Sequence, residues 1–145
     1  MSHPSLARDL LAAFCGIQGI ATMAIDLNRT HATNPLWPGH ARFHLVWQVV
    51  GAALLSVFEI LLILWPGPAF EERFFMAAIL TSIPMLAFLV ALLFRRAYDG
   101  TLQDPNGIPP ARFSALGREW RIDMNVFAAF AGLLVVTAIL LLHGF

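Results

Sequence analysis

A chain of 145 residues that is 59% hydrophobic and only 12% charged falls far from the composition of a water-soluble domain, where about 25% of residues are charged. Most of its surface is expected to face lipid. Nine basic and nine acidic residues cancel, leaving no basic footprint for nucleic acid, and the single cysteine, Cys15, rules out an internal disulfide or a cysteine metal cluster.

Taken in order, the chain holds four apolar runs, at about residues 6–27, 41–65, 74–94 and 124–142. Each approaches the roughly 20 residues that an α-helix needs to cross a bilayer. Helices are the only spanning form open to single segments, because backbone groups in lipid must be satisfied within the segment. Within the first run, Arg8 followed by the apolar stretch from Leu10 has the look of a signal peptide, but Asp9 is foreign to a basic leader, so the run reads as a span. The expected fold is an all-α, single-domain membrane protein over residues 1–145, with four transmembrane helices in an antiparallel bundle.

The connections differ. Trp65-Pro66-Gly67-Pro68 is a tight break, whereas the other two connections are long, polar and on one side of the membrane. That side carries Arg29, Arg42, Arg95, Arg96, Arg112, Arg118 and Arg121, against Arg8 and Arg73 on the other. The positive-inside rule then puts the long loops in the cytoplasm and both termini outside, in a membrane of the bacterial inner-membrane type. Trp37, Trp47, Trp65 and Trp120 flank the runs, as interfacial belts require.

Polar chemistry concentrates in residues 26–48. Cys15, Gln18, Thr22 and Asp26 fall on one helical stripe, which should face the bundle because polar groups avoid lipid. Asp26 would end the first helix, where the macrodipole disfavours an anion, so a positive partner is expected among Arg29, Arg42 and the histidines. His40 and His44 stand four apart, one turn on one helix face. With His31 they would make a three-histidine set for a divalent metal; capping and local hydrogen bonds are the plainer roles for the same residues. Haem is disfavoured, since His44 has no histidine at similar depth on another helix. Gln48, one turn past His44, would orient a ligand or glue helices, and Trp47 would line the same mouth. Asp123 and Asn125, where the fourth run begins, would close the site from the opposite side. Glu59, deep in the second run, should be protonated or have a partner, because a charge at the membrane centre costs about 2.5–3.5 kcal/mol; a structural pair with Arg8 or Arg73 is favoured over a proton relay.

Pro38-Gly39-His40-Ala41-Arg42-Phe43 resembles Pro109-Pro110-Ala111-Arg112-Phe113. Read as a duplication, it makes the protein two helical hairpins related by a pseudo-two-fold; read plainly, both copies are good helix starts. Met23-Ala24-Ile25-Asp26-Leu27, Pro35-Leu36-Trp37 and Arg42-Phe43-His44 resemble the emopamil-binding (EXPERA) families of four-helix membrane proteins, which include the sterol isomerases and the sigma-2 receptor. The resemblance covers about the first sixty residues and implies a lipid-soluble ligand held near Asp26. The acid expected on the second helix is replaced by His44 or Gln48, a departure from the paired-carboxylate chemistry of the isomerases.

Three functions follow. The first is an enzyme or binding protein for an isoprenoid-, sterol- or quinone-like molecule, with Asp26 and His44 as an acid–base pair and Gln18, Thr22, Trp47, Gln48, Asp123 and Asn125 around the substrate. It requires a cavity shared by Asp26 and His44. The second is a non-catalytic subunit that packs against membrane-protein partners or its own copies, marked by a solid bundle with an exposed polar stripe. The third is a metal-binding protein built on His31, His40 and His44.

Overall fold

The computed structural model describes residues 3–115 and 117–144. Four long helices, α1 (Pro4–Asp26), α2 (Gly39–Leu64), α3 (Phe70–Phe94) and α4 (Met124–His143), are each long and apolar enough to cross a membrane. Each packs on its neighbours in sequence, and α1 closes the ring onto α4. The α1–α2 pair is antiparallel, as the contacts show: Gly16 faces Ile60 and Gly19 faces Ser56. The sequence reading of an all-α four-helix membrane bundle is therefore the observed architecture.

Small residues set the closest approaches. A Cβ on Gly19 would lie 2.7 Å from Ser56 Oγ, and one on Gly132 would strike the Met85 sulfur. Around these points the apolar core gathers Leu11, Ile63, Phe74, Val136 and Ile139, all buried. At the end where α2 meets α3, Arg73 donates to the carbonyls of Trp65, Gly67 and Ala69. It satisfies the acceptors that the Pro66–Pro68 break leaves without helical partners, so it is not available to Glu59. At the same end His143 stacks on Phe74, with ring centroids 4.3 Å apart, and its Nε2 lies 3.3 Å from Glu71 Oε2 without completing a hydrogen bond.

One element departs from expectation. After a 3₁₀ turn at Arg95–Tyr98, the second long connection forms a hairpin of β1 (Ala111–Ala115) and β2 (Arg118–Ile122). Its residues alternate, so Phe113 pairs with Trp120 on one face and Arg112 with Arg121 on the other. Ala41-Arg42-Phe43 is helical in α2 while Ala111-Arg112-Phe113 is a strand, so the two similar segments are not structural repeats. The hairpin wins because residues 111–122 have period-two alternation around Gly117, whose φ of +71° suits a tight turn.

Candidate functional site

The polar end of the bundle is a built platform. α1 ends at Asp26, and Asn28 caps it by donating its amide to the Ala24 and Ile25 carbonyls at 3.1 and 2.7 Å. Two carbonyl acceptors fix the amide, so Asn28 Oδ1 can only accept. Thr30 Oγ1 lies 2.6 Å from that oxygen and 2.7 Å from His31 Nδ1. The hydroxyl has one proton, and Asn28 Oδ1 must receive it. His31 Nδ1 is then the donor toward Thr30, which leaves the Nε2 lone pair of the neutral ring free as a base. Asp26 Oδ1 stands 3.8 Å from the same Nδ1, and the His31 and Asp26 side chains are only 23% and 25% exposed. The Thr30 hydroxyl thus holds one imidazole nitrogen, the Asp26 carboxylate stands beside it beyond hydrogen-bond reach, and the other nitrogen has no hydrogen-bond partner among the described residues.

The opposite loop supports this platform. Trp37 meets His31 edge-on, with centroids 5.6 Å apart, and donates its indole N–H to Asp104 Oδ2 at 2.7 Å. Fully buried Asn34 donates to Asp104 Oδ1 at 3.2 Å and accepts from Leu36 N and Asn106 Nδ2. Trp37 foremost, then the Asn106 backbone N–H and Asn34, hold the Asp104 carboxyl below the usual carboxylate range. The sequence reading missed this clamp. Its signal was there: Asn34-Pro35 and Asp104-Pro105 are both Asx-Pro turns, each side-chain oxygen accepting from the amide two residues on. That two turns seventy residues apart meet was not written in either.

The sign of the pH dependence follows. Asp104 has a lower pKa folded than unfolded, so the unfolded chain binds its proton more readily. The clamp contributes fully above the ordinary aspartate value of about 3.9 and is lost as pH falls through the lowered folded value. The protection factors of the Leu36 and Asn106 amides, which correct for the intrinsic pH dependence of exchange, should stay constant from neutral pH down to about pH 5 and fall only in stronger acid. Asp104→Asn should exchange faster throughout. Loosening already near neutral pH would show that the Asp104 carboxylate is not what holds the clamp.

The other expected site residues are dispersed. His44 is exposed, and its Nε2 lies 3.0 Å from that of His40; no hydrogen bond or ion pair joins it to Asp26. The Asp26–His44 pairing is thus replaced by Asp26–His31, because the loop turns back on α1, with Ala32 N donating to Asp26 O at 3.0 Å. His31, engaged there, does not complete a metal set with His40 and His44; among the described residues no three metal-ligating groups gather. Trp47 is 64% exposed and tilts against the His44 ring. Gln48 is exposed and, among the described residues, has no hydrogen-bond partner. Asp123 is the N-cap of α4, accepting from Asn125 N and Val126 N at 2.9 and 3.2 Å. That role holds it at the helix start and leaves Asn125 exposed.

Gln18 and Thr22 face inward, as the α1 stripe requires, but Gln18 serves the mid-bundle. It accepts from Thr81 Oγ1 at 2.6 Å and donates to the Thr81 carbonyl at 3.2 Å, while Thr22 donates to the Gln18 carbonyl. Beside this pair the Cys15 thiol faces the Glu59 carboxyl. Glu59 is 1% exposed, and neither of its oxygens completes a hydrogen bond. The expected arginine partners are elsewhere: Arg8 pairs with Asp9 at 2.8 Å and Arg73 with the α2–α3 turn. The cavity shared by Asp26 and His44 that the ligand reading required is not at either groove: one of about 350 Å³ between α1 and α4, lined by Phe14, Ile17 and Val135 among others, and one at the end of α3 touch neither residue.

No family model, curated protein or solved structure matches the chain.

Proposed function

We propose that the protein binds or converts a lipid-soluble molecule of the isoprenoid, sterol or quinone class at the loop end of the bundle, with Asp26 and His31 as its acid–base couple. The observation that carries this reading is the chain from Asn28 through Thr30 to His31 Nδ1, which leaves Nε2 open beside an indole. Isomerase-type chemistry of the kind the EXPERA resemblance implies would rest here on the loop residue His31, not on the second-helix position that His44 or Gln48 fills. The arginine bias supports a cytoplasmic position for this end.

Native mass spectrometry of the protein released from mild detergent tests it. A bound apolar molecule is expected on the wild type, with occupancy at least tenfold lower in Asp26→Asn and His31→Gln and unchanged in His44→Gln. Equal occupancy in all four proteins, or no bound molecule, overturns the reading. With a substrate in hand, loss of the base should cost about 10²–10⁴-fold in rate.

A specific observation favours a second reading, assembly through α2. The helix has 26 residues, about 39 Å against roughly 30 Å of hydrocarbon. His40 and His44, within about 8 Å of its start, fit in the overhang. Gln48, about 13 Å in, does not, and beside it Gly51 faces open space. Polar and small residues are what membrane helices use to pack. In a Cys15→Ala background, Gly51→Cys should crosslink to a neighbouring chain in native membranes if this face is an interface. In the same background, Thr33→Cys should be shielded from an impermeant reagent outside intact cells if the long loops are cytoplasmic.

A further inference from the structure

Where α3 ends, two arginines stand over an apolar groove. The groove, of about 570 Å³, runs between the last turns of α3 and the start of α4 and is lined by Leu89, Leu92, Leu93, Phe130, Arg95 and Arg96. Its floor is hydrocarbon and its rim is cationic. Leu93 and Phe130 are 75% and 54% exposed, so the floor is open to lipid.

The rim is held in place. Tyr98 donates its hydroxyl to the Ala91 carbonyl at 2.7 Å, and Gly100 N donates to the Arg95 carbonyl at 2.7 Å. These bonds fold the 3₁₀ turn back on α3 and fix the backbone from which both guanidinium groups project. Arg95 makes one long contact, Nη1 to the Leu92 carbonyl at 3.4 Å. Arg96 has no hydrogen bond or ion pair among the described residues. No acid lines the groove, and Asp99, the nearest in sequence, forms no ion pair among the described residues. Two full positive charges therefore stand uncompensated at the edge of the hydrocarbon. The carbonyl end of α3 offsets only about half a unit charge.

We propose that this groove is a specific site for an anionic phospholipid, whose phosphate lies between Arg95 and Arg96 and whose acyl chain lies along Leu89, Leu92, Leu93 and Phe130. Charge complementarity selects the occupant. A bare phosphate would use the rim and leave the apolar floor unfilled, and a zwitterionic lipid would bring a cationic headgroup against two guanidinium groups. Arginine suits the phosphate because its planar fork gives two parallel N–H donors to one anion. The α1–α4 groove is lined only by apolar side chains and has no such preference, so it serves as an internal comparison.

The test is lipid retention. Full-length protein is reconstituted in nanodiscs of phosphatidylcholine with a minor share of phosphatidylglycerol, released into mild detergent, and weighed by native mass spectrometry. One phosphatidylglycerol per chain should be retained over phosphatidylcholine. Replacing both arginines, Arg95→Gln with Arg96→Gln, should reduce that preference about thirtyfold if each contributes as juxtamembrane basic residues do. The control Arg112→Gln with Arg121→Gln removes the same charge from the hairpin and should keep the preference. Glycerol phosphate added in excess should not displace the lipid, because it lacks the chain. Equal retention of the two lipids by the unmodified protein overturns the proposal whatever the variants do. So does an equal loss in the hairpin control, which would reduce the effect to net charge, or displacement by glycerol phosphate, which would make the site one for free anions.

Discussion

Replacing Glu59 by Met should raise the stability of the protein in detergent by about 2 kcal/mol, the size of the penalty for a buried polar group whose hydrogen bonds are incomplete. The carboxyl sits at 1% exposure, and neither oxygen completes a hydrogen bond. Both arginines that a sequence reader would assign to it are committed elsewhere. Its one polar neighbour is the Cys15 thiol, a weak donor, so the carboxyl bears most of its desolvation cost, which an apolar side chain of similar size does not. Glu59→Gln should gain less, since the amide remains polar and adds donors to be satisfied. Thermal unfolding in one detergent compares the three proteins. A Met variant less stable than wild type would show that the carboxyl has a stabilising partner. A more stable Met variant that has lost ligand occupancy would make Glu59 a functional acid, the usual reason for a carboxylate to persist inside a membrane protein.

Gly19→Leu should have the opposite effect and be the more damaging, costing about 3 kcal/mol or more, the upper end for overpacking. The first atom of any side chain there would sit 2.7 Å from Ser56 Oγ and 2.8 Å from Ser56 Cβ. Neither helix can yield easily, because Cys15 and Glu59 meet one turn away and Gly16 packs on Ile60. The milder Gly19→Ala should be partly rescued by Ser56→Gly, which clears the atoms in the way. A double-mutant cycle on unfolding measures that coupling. Additive effects of the two changes would mean that α1 and α2 do not meet at this point.

The α1–α2 contact also explains how the loop platform is placed. With Gly19 against Ser56, Asp26 comes out level with the region of Val49, below His44 on α2. The loop must cover that step, and it does so by folding residues 28–34 back over the end of α1. His31 rather than His44 is thereby delivered to Asp26.

The four spans were legible in the sequence because lipid leaves a chain no choice: an apolar run of sufficient length must satisfy its backbone as a helix, whatever it packs against. The inward stripe of α1 was legible for the same reason, since Gln18 and Thr22 could not be left to lipid. What the sequence did not decide were contacts that depend on two segments meeting. Ala-Arg-Phe is helix in α2 and strand in β1, because three residues carry no period of their own and take that of their surroundings. Asp26 had several cationic or histidine partners within reach along the chain, and the course of the loop chose His31. Asn34 and Asp104 lie seventy residues apart, and each looks like an ordinary turn residue alone. Only the closed bundle brings the two loops to the same end, where each turn fills the hydrogen-bonding needs of the other.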